Sequence, residues 1–155
     1  MTEGLDNVRV PMAPPMIFAC YLIGALLLNW ILPLPLPWPG FIGALGGLLA
    51  VSGLFLGASA IRRMSMAHTS PDLRAPTTTL VTDGLYAHSR NPIYLGLFVI
   101  YLGFGLVAGT LWGILLGPFL LLTVHRLVIR AEEAYLQDRF ESRYAQYKAR
   151  VHEWL

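Results

Sequence analysis

NPIYLGLFVIYLGFGLVAGTLWGILLGPFLLLTVH, residues 91–125, contains no Asp, Glu, Lys or Arg. That length exceeds the ~20 apolar residues needed to cross a bilayer. Only Gly109-Thr110 breaks its apolar character, so the pattern predicts two membrane helices, 92–108 and 111–128, joined by a brief turn. Gly113 and Gly117 offer a small-residue contact inside that hairpin. The start of the hairpin is well marked. Asn91 reads as an N-cap whose side chain accepts from free backbone N–H groups, and Pro92 as a first helical residue that has no N–H to lose. Arg90 adds a fixed positive charge beside the positive end of the helix dipole. A helix start of this kind can hold an anion.

Toward the N-terminus lies a second charge-free length, Val10 to Ile61. It predicts spans at 16–32 and 41–61, separated by PLPLPWPG, residues 33–40, whose four prolines forbid helix. Gly43, Gly47, Gly53 and Gly57, with Ala50, read as a small-residue stripe on which a neighbouring helix packs, in this chain or in a second copy. Composition agrees: 55% hydrophobic and 13% charged, against about a quarter charged in soluble domains, with mean hydropathy +0.58. This excludes a soluble domain. The polar arm MTEGLDNVR carries Glu3 and Asp6 and lacks a signal peptide's basic region, so the first apolar segment is expected to remain in the protein. Cys20 is the one cysteine, and the four histidines have no ligand spacing, so no metal site is expected. With a net charge of +2 and no matching motif, nothing points to nucleic acid.

The charges gather in two places. Residues 62–91 form a loop with turn signals at Ser70-Pro71 and Asp83-Gly84, and loops of this length inside compact domains are usually functional. Residues 126–155 hold six of the eleven basic and five of the nine acidic side chains. There Leu136, Phe140, Tyr144, Tyr147 and Val151 recur at spacings of 4, 4, 3 and 4, which predicts one amphipathic helix over 129–152. It either lies on the membrane or packs back on the loop. The positive-inside rule places the N-terminus, loop and tail in the cytoplasm. Trp30, Trp38 and Trp112 then form an aromatic belt on the opposite face. The expected fold is an all-α integral membrane protein, one domain over 1–155: four transmembrane helices and a cytoplasmic amphipathic helix.

Chemistry concentrates where the spans meet the cytoplasm. Glu132 and Glu133 are about 100° apart on a helix, so they are not expected to point the same way. Glu133 continues the apolar stripe and Glu132 stands to one side. Both also read as surface acids paired with Arg130 or Arg62. Arg90 equally reads as a snorkelling anchor, and Tyr86 and Tyr94 as interfacial aromatics. Gly103-Phe104-Gly105 follows no strand and is not a dinucleotide fingerprint.

LVTDGLYAHSRNPIYLG, residues 80–96, resembles a motif of the integral-membrane methyltransferases related to isoprenylcysteine carboxyl methyltransferase and phospholipid N-methyltransferase, through Gly84, Tyr86, Arg90, Asn91, Pro92, Tyr94 and Gly96. EEAYLQDRFESRYAQY, residues 132–147, resembles the second motif of the same family. Asn91 stands where the eukaryotic carboxyl methyltransferases have histidine, a bacterial-type variant; Leu85 stands where Pro is common, Glu141 where Gly is, and no proline-containing end follows. The resemblance implies S-adenosylmethionine bound on the cytoplasmic face, with cofactor-binding roles for Tyr86, Arg90, Asn91, Tyr94, Gly96, Glu132 and Glu133 and catalytic roles for Arg90 and Glu133. It implies methyl transfer to a lipophilic acceptor, an isoprenylcysteine-like carboxylate or a lipid amine. A small-thiol acceptor and a non-enzymatic four-helix scaffold or transporter subunit are the alternatives. Arginine outnumbers lysine ten to one, which suggests a bacterial inner membrane.

Overall fold

The computed structural model describes residues 8, 10–34 and 39–155. Trp38 and most of the proline-rich turn lie outside them, as does the polar arm apart from Val8. The described residues are helical with no strand: α1 (Pro14–Ile31), α2 (Phe41–Met66), α3 (Pro92–Val107), α4 (Leu111–Val124) and α5 (Arg130–Arg150). A short 3-10 turn, Gly84–Ala87, precedes α3, and a π-helical turn, His125–Ile129, joins α4 to α5.

Among the described residues three helices are long and apolar enough to cross a membrane: α1, α2 and the continuous helix Leu111–Arg150. α3, expected as a further span, is a shorter apolar helix of 16 residues. A helix of that length spans about 24 Å, less than the ~30 Å hydrocarbon core. α4 alone has 14 residues and reaches spanning length only because the π turn carries the helix onward. Exposed Trp30, Phe41, Leu48, Leu54, Phe55 and Phe119 cover the outer faces, more apolar surface than a water-soluble monomer shows. The protein is an integral membrane protein.

α3 is the central element, packed against α2 on one side and against α4 and α1 on the other. Its contact with α2 is backbone on backbone. A Cβ at Gly53 would stand 2.6 Å from the Gly96 carbonyl oxygen, and one at Gly103 would stand 2.6 Å from Gly46 O and from Ala50 N. The stripe on α2 is therefore Gly46, Ala50, Gly53 and Gly57. Gly43 and Gly47, expected within it, have nothing within 4 Å. α2 is apolar on all sides, so no polar face fixed the phase of the stripe in advance. In the α3–α4 hairpin Gly113 meets Gly105, and Gly117 lies beneath the Phe98 ring. α1 is pinned by the Tyr21 hydroxyl, 2.7 Å from Thr123 Oγ1, and by the Trp112 indole N–H, which donates to Leu32 O.

α2 runs one turn past Arg62 and Arg63, the expected stop. Arg63 there pairs with Asp83 and ties the helix end to the 3-10 turn. α5 is not one straight helix: Glu141 sits at φ 46°, ψ −118° and kinks it. A backbone of this kind is unstrained for glycine and costs other residues on the order of 1–3 kcal/mol, which accounts for glycine as the alternative there. The Gln137 side-chain N–H donates to Glu141 O and supports the bend. Tyr144, Tyr147 and Val151 nonetheless form one buried cluster with Leu80, so the segment packs back on the loop.

Candidate active site

The loop, the start of α3 and the first half of α5 enclose a cavity of about 370 Å³, within the range of small-molecule sites. Its lining includes apolar side chains, among them Ile61 and Met64 of α2, Leu97 of α3 and Leu136 of α5. It also includes Tyr86, Arg90, Asn91, Tyr94, Glu132 and Glu133. Six of the seven expected site residues thus meet in one cavity. Gly96 does not: it packs on α2, where a Cβ would lie 2.8 Å from Gly57 N.

Both carboxylates face the cavity, contrary to the expectation from their 100° separation. Glu132 meets Tyr94 of α3 and Glu133 meets Arg90 just before it, so two adjacent positions of α5 both reach the lining. Their partners differ. Glu132 Oε2 accepts from the Tyr94 hydroxyl at 2.8 Å and, among the described residues, has no cation among its hydrogen bonds or ion pairs. Burial pushes the Glu132 carboxyl above the ordinary range, the Tyr94 hydroxyl opposes that shift, and the Glu133 charge adds to it. Glu133 is held by two cations, with Oε1 2.6 Å from Arg90 Nη1 and Oε2 2.6 Å from Lys148 Nζ.

The Arg90 contact is close but not aligned as a hydrogen bond. Arg90 Nε and Nη1 and Glu133 Oε1 are buried without a hydrogen-bond partner, and so is the Tyr86 hydroxyl. Buried donors left over in a cavity favour a ligand with acceptors. The side chain of Asn91 does not cap α3; its Nδ2 donates instead to Glu153 O at 3.1 Å. With that amide turned away, the Arg90 guanidinium is the cationic group at this helix start.

Tyr144 and Tyr147 also line the cavity, although their spacing marked them only as an apolar stripe. Burial raises both hydroxyls, Tyr147 to about 12 against the lowering effect of Arg90. The Tyr147 hydroxyl donates to Tyr86 O at 2.7 Å, fixing the turn before α3. A tyrosine in an apolar stripe is a signal in itself, since a buried hydroxyl needs a partner. Arg74 and Thr77 of the loop complete the rim, and Thr77 N donates to the Tyr135 hydroxyl. Neither had a periodicity to mark it. His88 and His125 lie outside the cavity lining. Among the described residues no group of His, Cys, Asp or Glu is placed to hold a metal ion.

The model of one family, phospholipid methyltransferase, matches residues 41–143, which include α2, the loop, the α3–α4 hairpin and the start of α5. The chain is similar to protein-S-isoprenylcysteine O-methyltransferase of Schizosaccharomyces pombe, 36% identical over 101 residues, covering 64% of this chain and 43% of the relative. It is similar also to the Saccharomyces cerevisiae protein of that name, 31% identical over 109 residues, covering 69% and 46%. The chain thus spans less than half the length of these relatives. No solved structure matches it. The matched region contains both carboxylates, Arg90, Tyr86 and Tyr94 of the cavity lining, and the chain belongs to the phospholipid methyltransferase family.

Proposed function

We infer that this protein is an S-adenosylmethionine-dependent methyltransferase acting on a lipophilic acceptor at the cytoplasmic face of its membrane, a bacterial inner membrane on the composition. The observation that carries the reading is the mixed lining of one cavity. Arg90, Glu132, Glu133 and tyrosine hydroxyls share it with apolar side chains of α2, α3 and α5, and Arg90 Nε and the Tyr86 hydroxyl are buried there without a hydrogen-bond partner. Bound S-adenosylmethionine supplies an electrophilic methyl group on a sulfonium.

The residues present fit that group. Arg90 offers buried N–H donors to a carboxylate. Glu132, with no cation of its own, suits an ammonium or ribose hydroxyls. Tyr86 and Tyr94 offer aromatic faces of the kind a sulfonium favours. Methyl transfer is an in-line displacement, so the protein contributes mainly position and exclusion of water. A carboxylate or thiolate acceptor needs no base. An amine must first lose a proton, and Glu132 is the carboxylate suited to take it, because the charge of Glu133 is already balanced by Arg90 and Lys148. Glu133 then serves to orient Arg90. The apolar wall favours an isoprenylcysteine-like or lipid acceptor over a small thiol.

Calorimetric titration of the purified protein with S-adenosylhomocysteine tests the reading. Saturable binding is expected, weakened about tenfold or more by Glu133→Gln, which removes one charge-assisted contact, and unchanged by Asp138→Asn on the exposed side of α5. No binding to well-folded protein would remove the cofactor reading.

A further inference from the structure

The segment that follows α5 holds the start of α3 residue by residue. His152 O accepts from Arg90 N at 3.0 Å. Glu153 O accepts from Ser89 Oγ at 3.3 Å and from Asn91 Nδ2 at 3.1 Å. Ser89 Oγ in turn accepts from Asn91 N. Three consecutive residues, 89–91, are therefore registered against two backbone carbonyls. Ser89 and Asn91 are buried, so these contacts are sheltered from competing water and their loss is costly.

The Glu153 side chain ties the same segment to a second element. Its Oε1 lies 2.8 Å from His125 Nδ1. His125 opens the π turn whose buried Val128 and Ile129 lead directly into Glu132 and Glu133. Neither Glu153 nor His125 lines the cavity. Flanking residues secure the segment: Val151 is buried beside Tyr144 and Tyr147, and Trp154 packs on the core cluster containing Tyr94, Val128 and Ile129. Glu153 thus touches two elements at once, the strand of chain that carries Arg90 and the wide turn that aims the carboxylates. π turns inside helices recur at functional sites, where a local change of winding re-aims side chains.

We propose that Glu153 and His125 are positioning residues that set Arg90 against Glu132 and Glu133, so that the two halves of the cavity come into register through a pair outside it. The proposal rests on the methyltransferase reading for its consequence, but not for its geometry. With Glu153 ionised, His125 donates from Nδ1; an asparagine at 125 can present its amide N–H from nearly the same position, whereas phenylalanine fills the space without a donor.

Two measurements on the full chain test this. Amide hydrogen exchange, without ligand, reads the Arg90 N–H to His152 O bond. His125→Phe and Glu153→Leu are expected to speed exchange across residues 89–91 while the α2–α3 contact keeps its protection, and His125→Asn to restore the slow rate. Titration with S-adenosylhomocysteine reads the consequence: about tenfold weaker binding for each single variant, as for loss of one charge-assisted hydrogen bond, recovery with His125→Asn, and no further loss in the double variant. Wild-type exchange at 89–91 in both single variants overturns the proposal, as does additive loss in the double variant. If wild-type protein binds no S-adenosylhomocysteine, the functional reading fails and the exchange data alone decide the positioning role.

Discussion

Glu132 and Glu133 are adjacent in the chain and differ in what surrounds them. Glu133 sits between Arg90 and Lys148; Glu132 has, among the described residues, the Tyr94 hydroxyl alone, and a burial penalty raises its carboxyl. A raised acid binds its proton more tightly folded than unfolded, so folding is favoured where it is protonated and that advantage is lost as pH rises through the folded-state value. Glu132→Gln keeps an acceptor for Tyr94 and removes the charge. It is expected to raise the melting temperature at neutral pH, with the gain shrinking to nothing as pH falls below the ordinary glutamate value of about 4.3. Thermal scans of both proteins from pH 4 to 8 check this; a gain of equal size at every pH would show that the carboxylate is not strained by burial. Arg90 and the carboxylates were legible from charge and position alone. The detail that Asn91 turns toward Glu153 rather than capping α3 was not, because its partner stands 62 residues away.

At the scale of elements, the α2–α3 contact is the most demanding in the molecule. Gly46, Gly53, Gly96 and Gly103 each have backbone within 3 Å of where a Cβ would stand. Neither backbone can move without the whole helix moving. Gly53→Ala and Gly103→Ala are each expected to cost about 1–3 kcal/mol, the usual penalty of overpacking, whereas Gly43→Ala and Gly47→Ala cost nothing. Detergent or urea unfolding followed by helicity checks this, and equal stability across the four variants would place the interface elsewhere. Small residues every three or four positions announced such an interface. They did not say which of two overlapping stripes forms it, since an evenly apolar helix has no wet side to orient it. The kink at Glu141 had even less local signal, for glutamate is a good helix former and the bend is imposed by packing of Tyr144 and Tyr147 against the loop.

Across the whole molecule, the charge map gives an orientation that is testable without any ligand. The end of α2, the loop after it and the residues after α4 carry ten of the eleven basic side chains, so all three are expected on the cytoplasmic side. In a Cys20→Ala background, a cysteine at exposed Arg143 should react with an impermeant maleimide only after cells are permeabilised, and one at exposed Trp30 before. Labelling of position 143 in intact cells would invert the topology.

Much of this protein is written in composition. Charge-free lengths of 35 residues and more mark segments that lie in lipid, where every backbone N–H and C=O must be satisfied by a helix or a closed barrel. Runs apolar on every side, without the alternation of barrel strands, leave helices. The same charge map and two polar clusters marked the end of the helices where six of the seven expected residues meet in one cavity. Tertiary structure decided what local pattern does not encode: which glycine stripe meets α3, that both carboxylates open on one cavity, and that His125 and Glu153 link its two halves. Those features rest on contacts between residues far apart in the chain, where close packing selects one arrangement from several that the same helices permit.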